Sequence, residues 1–334
     1  MGEKLINKIV SVVITTYNTN GSLKRAIDSI LNQTYSNIEI LVVDDNNPKT
    51  TGRIKTEKIM HEYKDNYKIK YIKHTQNLNG AFARNTGIKY SRGEYICFLD
   101  DDDFYLPNRI QKSVEYLEKN KNYEGVLVGV GFFKKRKLFD IKKYKKCGNL
   151  QLDLLLNNNF LGTGSNIFIK SECIKKLKDF DTRFLRFQDV EFMIRFFDYY
   201  DVGCISNIMI IKDSKSFSNV PNYDKMEKMV NLFLKKFENT ILKYNKEDQK
   251  EIYDKYKAIL FGCALNTKNK KLIQLRKHEI KKVRKLTLKE KIKSIFFFIN
   301  FSGKTIRIDK ISKYSGEFLN NDLEYLLNIK NIKQ

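Results

Sequence analysis

An apolar, aromatic stretch at residues 95–99, Tyr-Ile-Cys-Phe-Leu, runs directly into four consecutive aspartates, Asp100, Asp101, Asp102 and Asp103. The stretch has the character of a buried strand, so the fold must deliver four carboxylates to one strand tip. Like charges this close repel each other unless something cationic sits among them. Hard divalent ions such as Mg²⁺ or Mn²⁺ accept carboxylate oxygens and complete their shell with water and phosphate oxygens. Open parallel sheets bind ligands outside the carboxyl ends of their strands. The competing reading is a solvated acidic turn; an alternating strand–helix context favours metal and phosphate chemistry.

That context begins at residues 9–14, Ile-Val-Ser-Val-Val-Ile, the near-continuous β-branched sequence of a parallel strand buried on both faces. A helix is expected over 20–32, where Leu23, Ile27 and Ile30 share one stripe. A strand over 38–43 ends at Asp44 and Asp45. A helix over 50–63, a strand over 68–73 and a glycine-led loop with a short helix over 79–90 follow. The fold class is therefore α/β, a Rossmann-like, doubly wound and mostly parallel sheet. Beyond the aspartates the pattern predicts a helix near 107–119, strands at 126–133 and 166–169, and a helix over 188–197. The basic stretch 134–146 is expected as a surface loop. After Pro221 the pattern is wholly helical, with Met226, Val230, Phe233, Phe237 and Ile241 on one face. A domain boundary is placed near 220, dividing residues 1–220 from a helical, basic region over 221–334.

Composition narrows the classes. With 42% hydrophobic and 31% charged residues among 334, a packed core is expected and wholesale disorder is not. No apolar run approaches the roughly 18 residues of a spanning helix. The first eight residues carry no apolar core of a signal peptide, which points to a cytoplasmic protein. The five cysteines are odd in number and form no CxxC pair, so they are expected to be reduced packing residues. The three histidines lack metal-ligand spacing. A formal charge of +24 calls for a polyanionic neighbour, nucleic acid or anionic lipid being the candidates.

If the sheet is parallel, three strand ends share one rim: Thr15-Thr16-Tyr17-Asn18, Asp44-Asp45 and Asp100–Asp103. An aromatic ring, carboxylates and a metal together suit a nucleoside diphosphate. The ring packs on the base, an aspartate accepts from base or ribose, and the ion bridges the phosphates.

These blocks, with Leu31-Asn32-Gln33-Thr34-Tyr35, Ala83-Arg84-Asn85-Thr86-Gly87 and Gly93-Glu94 ahead of the acidic strand, occur in an order that resembles the family 2 glycosyltransferases of the GT-A fold. Downstream, Gly164-Ser165-Asn166, Phe180-Asp181 and Gln188-Asp189-Val190-Glu191 match the acceptor half of that family. The resemblance covers about residues 8–200. It implies a nucleotide-sugar-binding half over about 8–105 and an acceptor half over about 106–220. It also implies a donor-nucleotide site built from Thr15, Tyr17, Asn18, Asp44, Arg84, Asp100 and Asp101. Arg84 either sits near the nucleotide or braces its own loop. Asp100 and Asp102 would be the ends of a DXD motif on Mn²⁺ or Mg²⁺. Their i, i+2 spacing puts them on one face of an extended chain. Asp103 could share the metal, and Asp101 is expected to face away. Asp189 would be the general base of an inverting transfer, with Glu191 the second choice. Gln188 stands where the family often has Glu.

The implied partners are a nucleotide-sugar donor, with a UDP-sugar favoured, and a glycan acceptor, lipid-linked in surface-polysaccharide assembly of the capsule or O-antigen kind. The absence of tryptophan and of spanning segments argues for a non-processive enzyme that adds one hexose-type sugar per encounter. Residues 268–293 carry twelve Lys/Arg and two Glu and precede the aromatic cluster Ile-Phe-Phe-Phe-Ile-Asn-Phe at 295–301. Such a segment suits peripheral docking on an anionic membrane surface, at roughly 1 kcal/mol per basic residue. Packing of the phenylalanines on the catalytic domain is the alternative. Two other functions stay in view. A nucleotidyltransferase would want a glycine-rich basic loop after the first strand, which Asn18-Thr19-Asn20-Gly21 hardly offers. A nucleic-acid-binding protein would explain the charge but not the acid cluster, so no nucleic acid is expected.

Overall fold

The computed structural model describes residues 8–19, 21–134, 137–156, 160–213, 222–267, 269–286 and 290. The first half alternates as its pattern requires: β1 (Val10–Thr16), α1 (Ser22–Leu31), β2 (Ile38–Asp44), α2 (Thr51–His61), β3 (Ile69–Lys73), α3 (Gly80–Tyr90) and β4 (Tyr95–Asp100). β2, β1 and β4 lie side by side and parallel, with β3 outside β2. β2 is buried along its whole length, which is why it lacks polar alternation. Alternate residues of these strands serve opposite layers. Val10, Val12 and Ile14 join Leu23, Ala26, Ile27 and Ile30 of α1 in one core. Val13 faces the other way, against Gly87 of α3, where a Cβ would stand 2.2 Å from Val13 Cγ1.

The second half completes the sheet from chain far apart in sequence. β5 (Asp103–Tyr105), α4 (Arg109–Lys119), β6 (Gly125–Lys134), β7 (Lys137–Lys142), α5 (Gln151–Leu156), a 3₁₀ turn at Gly164–Asn166, β8 (Phe168–Lys170), α6 (Glu172–Leu177), α7 (Gln188–Phe196) and β9 (Val202–Asp213) follow. Among the described residues the strand order is β3-β2-β1-β4-β8-β6-β9-β5, with β7 paired to β6. β8 is antiparallel to β4, and β5 is antiparallel to β9. On the α3 side, Phe98 of β4 meets Phe180 edge-on at 5.1 Å, and Phe180 stacks on Phe192 of α7 at 4.2 Å. These contacts join the sheet to α7, whose first turn bears Asp189.

Besides the short β5, α5 and α6, which lie outside the expected elements, three more differ from the sequence expectation. Lys137–Lys142 is a strand where a loop is expected; as an outer strand it carries charge, which masks its pairing with β6. β9 lies outside the expected elements because Ser206-Asn207 interrupts its apolar run, at the point where its register against β6 shifts. Residues 79–90 form a full helix, begun by Asn79, whose side chain accepts from Ala81 N.

α8 (Tyr223–Lys236), α9 (Glu238–Ile241), α10 (Lys246–Ala264) and α11 (Lys270–Lys281) continue the fold without a break at 220: Phe233 of α8 meets Phe184 and Phe187, and Phe187 meets Tyr256 of α10. The described residues from 8 to 285 belong to one compact unit. The aromatic cluster at 295–301 lies outside the described residues. No helix among the described residues is long and apolar enough to cross a membrane.

Candidate active site

The tetra-aspartate run is held by contacts from several elements. The Asp100 amide donates to Ser165 Oγ, and its Oδ1 accepts from Arg84 Nη2 at 2.7 Å. Thr16 Oγ1, at the end of β1, donates to Asp101 Oδ2 at 2.5 Å. Arg25 of α1 donates to the Asp102 carbonyl while pairing with Asp213 at the end of β9. Asp103 is fully buried; its Oδ2 accepts from Thr163 and Ser165 hydroxyls at 2.6 and 2.7 Å.

The consequence is a sorting of the four carboxylates. Ligand oxygens of Asp100, Asp102 and Asp103 come within 4.8 Å of one another, whereas Asp101 is drawn aside by Thr16. Burial and the neighbouring aspartates push Asp102 up to about 7, against the opposing pull of Lys212. Burial also raises Asp101 to about 7 despite the Thr16 hydrogen bond, and raises Asp103. Oδ1 of Asp103 is buried without a hydrogen-bond partner, 3.7 Å from Lys212 Nζ. Three converging carboxylates, one with an orphaned oxygen, fit a hard divalent cation by donor type and spacing.

Asp189 stands at the start of α7, half-buried. Arg84 links it to the acid cluster: Nη2 reaches Asp100 and Nη1 donates to Gln188 Oε1 at 2.8 Å. Gly164 lies against both, since a Cβ there would be 3.4 Å from Arg84 Nη2 and 3.5 Å from Asp189 Cβ. Burial raises the Asp189 carboxyl above its ordinary value, Arg84 opposes the rise and Asp100 adds to it. Arg84 thus touches both the acid cluster and the first residue of α7.

Tyr17 is 53% exposed at the rim, beside half-buried Thr15 and exposed Asn18, whose amide donates to Asn46 Oδ1. Asp44 requires a correction. Its carboxylate is completely buried: Oδ1 accepts from the Asn46 amide and side chain, and Oδ2 accepts from Tyr71 OH and lies 2.9 Å from Arg53 Nε. Three hydrogen bonds, the Arg53 ion pair and complete burial hold this carboxylate beneath the rim, where it braces the strand end. Asp45 likewise holds the 74–79 segment, through His74, Asn77, Leu78 and Asn79.

Glu191 is the second correction. It is fully buried and turned away from the cluster, paired with Arg195 Nε at 2.5 Å and with Lys236 Nζ of α8 at 2.6 Å. A carboxylate neutralised by two cations is no general base. Sequence reasoning misses Lys212, Arg25, Thr163 and Tyr71. Lys212 sits opposite Asp103 in the β5–β9 register and comes within 3.7 Å of its Oδ1. Its only advance signal is a lone cation closing an apolar run.

Fold and site together define a sugar-transferring enzyme of the GT-A type. The family model described as Glycosyl transferase family 2 matches residues 11–178, and the chain belongs to that family. It is 34% identical over 225 residues to an uncharacterized glycosyltransferase of Methanocaldococcus jannaschii, covering 65% of this chain and 72% of that one. It is 33% identical over 174 residues to the Escherichia coli UDP-Glc:alpha-D-GlcNAc-diphosphoundecaprenol beta-1,3-glucosyltransferase WfgD, covering 49% of this chain and 66% of that protein. Among solved structures, S. aureus TarS 1-349 in complex with UDP aligns with a TM-score of 0.52 at 14% identity, over 86% of this chain and 88% of that one, which shows the shared fold.

Proposed function

We propose that this glycosyltransferase is inverting and cation-dependent, and that it moves one sugar from a UDP-sugar to a lipid-linked glycan acceptor in surface-polysaccharide assembly. The observation that carries the reading is the convergence of Asp100, Asp102 and Asp103, joined through Arg84 to the segment bearing Asp189. The WfgD description, with its UDP-sugar and diphosphoundecaprenol acceptor, supports the choice of substrates.

In this reading Tyr17 packs on the base, while Thr15 and Asn18 shape the floor beside it. Asp101 and Asp100 face the ribose side of the rim. Asp102, Asp100 and Asp103 hold Mg²⁺ or Mn²⁺, which when bound offers Lewis-acid stabilisation to the departing diphosphate. Asp189 orients the acceptor hydroxyl and takes its proton as the new C1–O bond forms. The old C1–O bond to the diphosphate breaks, and its electron pair leaves with the phosphate oxygen. Asp44 supports the rim through Arg53 and Tyr71. Docking at the inner face of an anionic membrane would bring such an acceptor to the enzyme, and α11 supplies Lys270, Lys271, Lys277 and Lys281 for that surface.

The test is release of nucleoside diphosphate from a panel of nucleotide-sugars with Mn²⁺ or Mg²⁺, comparing wild type with Asp102→Ala. Metal-dependent release that the substitution abolishes is expected. Equal release by both proteins would remove the acid cluster from the mechanism.

A further inference from the structure

Lys212 makes an unusual pairing. Its Nζ is 3.7 Å from Asp103 Oδ1, longer than the roughly 2.7–2.9 Å of a charge-assisted hydrogen bond. Its other contact, Thr163 Oγ1 at 3.4 Å, is also long. The side chain is 30% exposed, whereas Asp103 is completely buried. An ammonium group therefore stands near a buried Asp103 oxygen that accepts no hydrogen bond, at a distance too long to fasten it there. Asp100, Asp102 and Asp189 lie near enough to act on it electrostatically as well.

The charges around the run bear on its purpose. Arg25 is paired with Asp213, so among the described residues Arg84 and Lys212 are the cations within ion-pair reach of the four aspartate side chains. The carboxylates outnumber these cations, and a divalent ion would offset the negative excess. The same Asp103 oxygen cannot serve both that ion and Lys212 closely. A divalent ion that takes it would displace the ammonium, and the Lys212 side chain, 30% exposed, is not locked in place by a short hydrogen bond.

We propose that Lys212 is an exchangeable counter-cation: it shields Asp103 until a divalent ion arrives, and then engages the diphosphate of the donor. The inference rests on the glycosyltransferase reading for the identity of the diphosphate. It gives Lys212 a task distinct from Arg84, which is held at both ends by Asp100 and Gln188. It also predicts effects of opposite sign on two ligands. Removing the ammonium deepens the negative potential felt by a metal, yet takes a positive charge from the bound diphosphate.

The experiment is calorimetric titration of full-length wild type, Lys212→Met and Lys212→Arg, first with Mn²⁺ alone and then with UDP at saturating Mn²⁺. Thermal melts confirm that each variant is folded. Lys212→Met should bind Mn²⁺ as tightly as wild type or several-fold more tightly, and should bind UDP at least tenfold more weakly. Lys212→Arg should recover most of the UDP affinity. Weakened Mn²⁺ binding with unchanged UDP binding in Lys212→Met would overturn the proposal, as would a wild type that binds no Mn²⁺. These titrations need no sugar transfer. A protein that binds UDP and Mn²⁺ as described but releases no diphosphate from any nucleotide-sugar would refute the proposed reaction while leaving the role of Lys212 standing.

Discussion

As the proposed general base, Asp189 would work only when ionised, and its surroundings oppose ionisation. Burial lifts its carboxyl above the ordinary aspartate value near 3.9, with Asp100 adding to the rise and Arg84 limiting it. A general base whose pKa is raised stays protonated to higher pH. The acid limb of kcat/KM should therefore fall off above the ordinary carboxylate range as pH drops, as a pH–rate profile at saturating Mn²⁺ would reveal. Asp189→Asn should keep UDP affinity and lose transfer by about 10²- to 10⁴-fold; retained transfer would place the base elsewhere. At this scale the sequence discloses residues whose chemistry is exposed at strand ends, such as Tyr17 and the acidic run. It does not disclose which carboxylate is already spoken for. Asp44 and Glu191 look available as letters, but Tyr71, Arg53, Lys236 and Arg195 reach them from other elements.

At the scale of elements, the parallel strands were readable because burial on both faces leaves an unbroken apolar run in β1, β2 and β4. β9 was not, since its middle residues are less buried and its register slips against β6. The missing strand hid Lys212. Tight packing around β9 can be probed directly. A Cβ on Gly203 would lie 2.0 Å from Tyr116 Cε1, and the ring already packs against Tyr123. Gly203→Ala should cost about 1–3 kcal/mol through overpacking. Gly262, inside α10, has nothing within 4 Å of its would-be Cβ. Gly262→Ala should instead stabilise by about 0.4–1 kcal/mol. Urea unfolding of both variants checks the opposite signs; a neutral Gly203→Ala would mean that the α4–β9 contact yields easily.

Across the whole molecule, the helices after residue 221 are tied into the catalytic unit. Lys236 reaches both Asp181 and Glu191, and Phe233 fills the space beside Phe184 and Phe187. A composition shift near 220 thus marks a change of secondary structure, while the core runs through it. The net charge of +24 acts at the same scale. Flotation with vesicles containing anionic lipid should carry the protein upward at low salt and release it as ionic strength rises. Failure to float at low salt would remove the membrane from the proposed function. The pairing of β5 with β9 has one more consequence, in time. The turn bearing the acids is clamped by a strand made more than a hundred residues later, and loop closure over such distances is slow. During synthesis the emerging polypeptide cannot finish the acidic cluster until β9 has left the ribosome and docked, so the proposed cation seat matures among the last parts of the sheet.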